Sequence, residues 1–170
     1  MTHIATKDPK FFLRFAMATD AALIVQFMQK LGRYQKMEDE ITATPASIER
    51  LISQKLGEAV FGIYDGEIVG FIFYNQTSSA FTGRSGLFID GFFVDEAIRH
   101  RGLGRMMMDF MCQHALDRGG QMVEWVCLDW NQPSIDFYLG LGAYCLEPLR
   151  TYRLSPDTMA RNGARNGARF

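Results

Sequence analysis

Cysteine is scarce in this chain. Cys112, Cys127 and Cys145 are the only three among 170 residues, and none of them forms a C-x-x-C pair. An odd, dispersed set argues against a disulfide framework and against a zinc site. The three histidines, His3, His100 and His114, fall in no H-E-x-x-H or H-x-E pattern, so no metal is expected. An excess of one charge is lacking too. Lys plus Arg number 18 and Asp plus Glu 19, a net charge of -1. Phosphate-rich surfaces need a basic excess, so no nucleic-acid partner is expected. No apolar run approaches the ~20 residues that span a bilayer. The opening MTHIATKDPK has no long apolar core, so a signal peptide is not expected either. A reducing, cytoplasmic setting without a membrane partner is the expectation.

What is present is globular. Hydrophobic residues make up 48% and charged residues 22%, which excludes wholesale disorder. The length suits one domain. Residues 1–155 read as that domain, and 156–170, ending in the repeat RNGARNGARF, as a polar tail too short to pack.

Periodicity sketches the elements. Phe11 to Ala16 reads as a strand. Ile24, Phe27, Met28 and Leu31 give a helical stripe after Thr19 or Asp20. Thr44-Pro45 marks the start of a second helix running to Gly57. Glu58–Tyr64 and Glu67–Tyr74 flank Asp65-Gly66, a strong hairpin signal. Asn75 to Gly86 reads as a polar loop. Leu87 to Val94 is a buried strand with Gly91 inside it, a bulge signal. A helix over Leu103–Leu116, a strand over Gln121–Leu128 and a helix over Asn131–Leu141 follow. Ala143–Leu146 and Thr151–Leu154 read as closing strands. A hairpin followed by strand-helix-strand implies an α/β (α+β) domain: a mixed, mostly antiparallel sheet with helices on both faces.

The sharpest motif joins a buried strand to a helix start: Val94-Asp95-Glu96-Ala97-Ile98-Arg99-His100-Arg101-Gly102-Leu103-Gly104-Arg105. Glycines let a ligand approach the backbone, and helix-start N–H groups with the helix dipole favour a diphosphate. Arg99, Arg101 and Arg105 add positive charge. A Walker loop needs a lysine that is absent, and the third glycine of a dinucleotide fingerprint is Met107. A glycine-rich helix start with solvated arginines is the plain alternative. Farther on stands Trp130-Asn131-Gln132-Pro133-Ser134-Ile135-Asp136-Phe137-Tyr138.

Arg99-x-x-Gly102-x-Gly104 resembles the coenzyme A pyrophosphate loop of the GNAT acetyltransferase superfamily. The Asn131-x-Pro133-Ser134-x-x-Phe137-Tyr138 block resembles its last conserved block. With Leu31 to Glu38, Gly62 to Phe73 and Ile89-Asp90-Gly91-Phe92-Phe93-Val94, the match is similar to the diamine (spermidine/spermine) N-acetyltransferase branch across Phe12 to Leu154. The resemblance implies the GNAT fold splayed at a bulge near Gly91, acetyl-CoA as donor, direct transfer to a small-molecule amine, and a homodimer. It implies that Phe92, Phe93 and Val94 pair with the pantetheine arm. Arg99, His100, Arg101, Gly102, Leu103, Gly104 and Arg105 would hold the pyrophosphate, and Asn131, Pro133 and Ser134 would border the thiol end. Tyr138 would be the general acid for the leaving thiolate. Asp90, directly or through water, would take the amine proton, with Glu124 a second candidate. Tyr34, Gln35, Glu38, Asp90, Glu124, Trp125 and Val126 would face the acceptor.

Departures fall on the acceptor side. The diamine branch carries acids where this chain has Gln35 and Gly91, while Glu38, Asp39 and Glu40 remain. A small diamine, an amino-acid-like amine or another amino compound is therefore as open as spermidine. Acetylation of a protein or peptide amine, and a non-catalytic acyl-CoA-binding module, are the alternatives.

Overall fold

The computed structural model describes residues 3–165. They fall into two compact units that divide after Gln132.

The first unit is built on a six-stranded sheet in strictly sequential order. Its strands are β1 (Ile4–Ala5), β2 (Phe11–Phe15), β3 (Glu58–Tyr64), β4 (Glu67–Ser79), β5 (Arg84–Val94) and β6 (Met122–Trp125). The first five run antiparallel, and β6 pairs with β5 in parallel. The parallel pair needs a crossover, which is the helix α3 (Leu103–Asp117). Helices α1 (Ala21–Gln35) and α2 (Pro45–Ser53) lie between β2 and β3.

Alternation sorts the strand side chains onto two faces. Ala59, Phe61, Phe71, Phe73 and Phe93 pack with Ile24, Phe27 and Leu31 of α1 and Ile48 of α2. On the opposite face Tyr74 reaches His114 of α3, and Met107 of α3 sits against Gly62 and Gly70. Helices therefore cover both faces, as the sequence pattern implies.

Two polar devices are built into the sheet. Arg14, 7% exposed, donates Nη1 to Asp20 Oδ2 at 2.7 Å and Nη2 to Asp20 Oδ1 at 2.9 Å, with its guanidinium 4.9 Å from the Phe61 ring. That guanidinium holds the Asp20 carboxyl below its ordinary range. On the α3 face, Arg118 donates to Glu58 at 2.6 Å. His114 Nε2 lies 3.0 Å from the Tyr74 hydroxyl and 3.2 Å from Arg118 Nη1. Arg118 has only donors, so Nε2 is the accepting nitrogen of a neutral imidazole. Burial, reinforced by Arg118, pushes the His114 pKa down. Burial and the Glu58 charge push the Tyr74 phenol above its usual value.

Local signals explain most boundaries. Thr44 Oγ1 accepts from Ser47 N at 3.2 Å to cap α2, with Pro45 in its first turn. Asp65 and Gly66 take φ of 52° and 90°, the left-handed pair a two-residue hairpin needs.

Several expectations are corrected. Asn75 to Gly86 is not a loop: β4 runs to Ser79 and β5 starts at Arg84, with Thr77 opposite Gly86 and Ser79 opposite Arg84. The segment is polar on both faces, so it shows none of the apolar alternation that marks a half-buried strand. Cys127, expected on a core strand, is exposed just beyond β6.

The second unit holds most of α4 (Gln132–Gly140) and all of α5 (Pro156–Arg165). The expected closing strands at 143–146 and 151–154 do not form, and Tyr144, Leu146, Tyr152 and Leu154 are exposed. Helix α5 covers the start of what reads as a polar tail. Thr158 N donates to Ser155 Oγ at 3.3 Å, so Ser155-Pro156 repeats the start signal of Thr44-Pro45. Residues 166–170 of the terminal repeat lie outside the described residues.

Candidate active site

β6 accompanies β5 only as far as Ile89 opposite Trp125, whereas β4 pairs with β5 to Val94. The parting coincides with a bulge. Gly91 opposes Phe73 and Ile89 opposes Tyr74, which leaves Asp90 as the extra residue. A bulge bends its strand and re-aims a side chain. Here Asp90 is exposed while Gly91, Phe93 and Val94 are buried and Phe92 is half-buried.

From Val94 the chain passes through a single 3-10 turn, Glu96–Ile98, to the glycine-rich segment. His100 and Gly102 have φ of 64° and 78°. Left-handed residues thus stand on either side of Arg101, a backbone pattern from which anion-binding turns are built. Gly102 is the N-cap of α3 and brings no side chain to its first turn. A Cβ on Gly102 would meet nothing within 4 Å, so glycine answers the left-handed φ there and not crowding. Leu103, 2% exposed, roots the helix, and Gly104 follows. Arg101 donates to the Tyr64 hydroxyl at 3.3 Å, and Arg105 lies 3.7 Å from Asp109. His100, Arg101 and Arg105 are all exposed. A helix start without a side-chain cap and exposed cations beside it fit a diphosphate.

Arg99 behaves differently from the other two arginines. Its Nε donates to Val94 O at 2.9 Å, and its guanidinium lies 4.5 Å from the Tyr34 ring centroid. Tyr34, in the last turn of α1, donates its hydroxyl to Asn131 Oδ1 at 3.1 Å. Asn131 is 4% exposed, an accepting amide sealed beneath that hydroxyl.

The other acceptor-side residues are placed as follows. Gln35 ends α1, and Lys36 follows with φ 58° and Nζ 5.6 Å from the Trp130 ring. Glu38 accepts from Arg33 Nε at 3.0 Å. Glu124 and Trp125 lie on β6 opposite Phe88 and Ile89, and Val126 is exposed just past them. Pro133, Ser134 and Tyr138 lie on α4. Tyr138 is half-buried, its ring edge-on to Phe137 at 5.4 Å.

The structure thus brings Tyr34, Phe93, Arg99 and Asn131 into one cluster, and puts Asp90 where β5 and β6 part. It turns Glu38 toward Arg33. Sequence reasoning passed over Lys36 and its approach to Trp130. The signal available was a cation directly after Tyr34-Gln35. Desolvation pushes the Cys127 thiol up, which keeps it protonated at neutral pH. Among the described residues no group of three or more His, Cys, Asp or Glu side chains could hold a metal ion.

A strand parting at a bulge is thus followed by a glycine-rich helix start without a side-chain cap. Residues 25–143 match the sequence model of the Acetyltransferase (GNAT) family. This chain belongs to the GNAT acetyltransferase family. It is an acetyl-transferring enzyme. This GNAT acetyltransferase is 28% identical over 163 residues to a thialysine N-epsilon-acetyltransferase of Sus scrofa, covering 86% of this chain and 94% of that one. It is 28% identical over 111 residues to an L-ornithine N5-acetyltransferase of Arabidopsis thaliana. That match covers 65% of this chain but only 46% of the plant protein. A solved aminoglycoside acetyltransferase from an uncultured soil sample, bound to trehalose, superposes with a TM-score of 0.73 at 14% identity, over 87% of this chain and 97% of that one. At that identity the likeness shows the GNAT fold alone.

Proposed function

We propose that this enzyme transfers an acetyl group directly from acetyl-CoA to the primary amine of a small amino-acid-like molecule. One observation supports the reading: β5 parts from β6 at the Asp90 bulge and, past Val94 and one 3-10 turn, reaches the glycine-rich, uncapped start of α3. When bound, the coenzyme supplies an acetyl thioester; the residues supply positioning and proton traffic. The backbone of Phe92, Phe93 and Val94 holds the pantetheine arm. The turn from His100 to Arg105 would hold the diphosphate, and the family resemblance gives Asn131, Pro133 and Ser134 to the thiol end.

An alkyl ammonium with a pKa near ~10.4 leaves only about one molecule in 2,500 deprotonated at pH 7. Asp90, exposed at the bulge, takes that proton directly or through water. The amine nitrogen would then bond to the acetyl carbon as the carbon–sulfur bond breaks; Tyr138 would give the departing sulfur a proton, and the nitrogen's second proton would return through solvent to the Tyr138 phenolate.

The acceptor side supports an amine that also carries a carboxylate. Gln35 stands where the diamine branch carries an acid, Gly91 turns toward Met28 and Phe71 and not toward the acceptor, and Arg33 pairs with Glu38. Lys36, next to Trp130, adds a cation. Relatives named for thialysine and ornithine share that chemistry. Mass spectrometry of products from acetyl-CoA tests the proposal, with ornithine and lysine run against putrescine and cadaverine, their decarboxylated twins, and with thialysine and spermidine alongside. The amino acids should be acetylated with the higher kcat/KM, and Gly102→Val should abolish coenzyme binding. Absence of product from every amine would sink the proposal. We also infer a cytoplasmic homodimer, supported by the family resemblance and checked by light scattering.

A further inference from the structure

Charge alone would place Arg99 on a phosphate with Arg101 and Arg105. Its contacts point it the other way. Its Nε is engaged by the carbonyl of Val94, the last residue of β5, at 2.9 Å. Its flat face covers two aromatic rings, Tyr34 at 4.5 Å and Phe93 at 5.3 Å from their centroids. Those rings meet edge to face at 6.4 Å. The Tyr34 hydroxyl then reaches the buried Asn131 amide. A continuous chain of contacts therefore joins β5, α1 and the residue that precedes α4. Only a planar, delocalised cation can stack on a ring and donate an in-plane N–H at once.

We propose that Arg99 is a positioning residue that acts through Tyr34 and the Val94 peptide, and not a phosphate ligand. It fixes the end of α1, where the acceptor residues stand, relative to the strand end that meets the pantetheine arm. The proposal rests on the acetyl-transfer reading above. Loss of such alignment by about 1 Å is worth roughly 100-fold in rate.

The test compares Arg99→Lys, Arg99→Gln and Tyr34→Phe with wild type, using acetyl-CoA and whichever amine of the panel is turned over fastest. Calorimetry gives the acetyl-CoA Kd at low and high salt, steady-state kinetics give kcat and KM, and thermal melts report the unliganded fold. Arg99→Lys keeps the charge but loses the planar face and the Nε–H. It should therefore fall with Arg99→Gln, about 10- to 100-fold in kcat/KM for the amine. The acetyl-CoA Kd and its salt dependence should stay within about threefold of wild type, because no phosphate contact is lost. Arg99→Gln combined with Tyr34→Phe should cost less than the product of the single effects, since both break one chain.

Wild-type kinetics in Arg99→Lys, with a Kd that rises more than tenfold and a flatter salt dependence in Arg99→Gln, would make Arg99 a phosphate ligand and overturn the inference. A lowered melting temperature with wild-type kcat and KM in the folded fraction would also overturn it, leaving a purely structural role. A wild-type protein that acetylates no amine is a separate failure: it removes the functional reading itself and is seen before any variant is made.

Discussion

Restoring the acid that the diamine branch carries at position 91 should damage this enzyme instead of making it a better polyamine acetyltransferase. A Cβ on Gly91 would lie 2.9 Å from Met28 Sδ and 3.2 Å from Phe71 Cζ. Ordinary carbon contacts are ~3.5–4.0 Å, so Met28 must move by more than half an ångström. Overpacking of this kind costs ~1–3 kcal/mol. In Gly91→Asp the carboxyl would enter the layer between α1 and the sheet, beside Phe71, which is 0% exposed. A polar group left there without a partner adds ~1–3 kcal/mol. The sum, near ~4 kcal/mol, corresponds to a melting temperature lower by about 10 °C in a chain of this length. Gly91→Ala carries only the packing cost and should lose a few degrees. Burial raises the pKa of the introduced carboxyl above its unfolded value. Its extra penalty is therefore absent below about pH 4 and grows as pH rises through the folded pKa. Melts followed by circular dichroism at pH 5 and pH 8 should show the two variants closer together at pH 5. A Gly91→Asp protein that melts with wild type and gains spermidine turnover would refute the argument, because its side chain would then be reaching the acceptor and not the helix layer.

Tyr138→Phe should lower turnover by ~10²- to 10⁴-fold while leaving the acetyl-CoA Kd nearly unchanged, because only the transition state loses a proton donor; wild-type turnover would remove the acid role. Asp90→Asn should depress the rate most at the acid end of a series from about pH 6 to pH 10, where the ammonium predominates. A profile parallel to wild type would move proton removal away from Asp90. His114, whose pKa is lowered in the fold, contributes stability that is fully present above its unfolded pKa of ~6.5 and is lost as pH falls toward the folded value. Urea midpoints should therefore drop between pH 7.5 and pH 5.5 in wild type and drop less in His114→Gln; equal slopes would exclude His114 as the source.

Much of the fold was legible where local chemistry and burial agree. Asp65-Gly66 demanded left-handed backbone, and Thr44-Pro45 demanded a helix start, so both elements appear where the sequence puts them. The strand before the glycine turn was legible because Leu87 to Val94 is apolar through both faces and carries its own bulge signal. The extension of β4 and β5 was not, since Asn75 to Ser79 and Arg84 to Ser85 give no alternation; ladder pairing alone holds them. Closing strands were read at 143–146 and 151–154, and those residues form none. In the site, the glycine turn could be read from spacing, because backbone φ and a helix start are local properties. The direction of Arg99 could not. Its partners Tyr34 and Phe93 come from distant segments, and a charge pattern does not say which way a guanidinium turns.

The sequential order of the sheet has a consequence for how this enzyme assembles and breathes. β1 with β2, and β3 with β4 and β5, pair across short turns, whereas β2 reaches β3 only past α1 and α2. The last strand is different. β6 joins only after α3 has crossed the sheet, and four paired positions hold it to β5. Only the two-position pairing of β1 with β2 is shorter, and lightly held strands of this kind open first in native-state fluctuations. The strand whose departure from β5 makes room at Asp90 is thus also one of the two most lightly held in the sheet. Amide hydrogens of 122–125 should exchange faster than those of β3 and β4, and anything that bridges the two diverging strands would slow them.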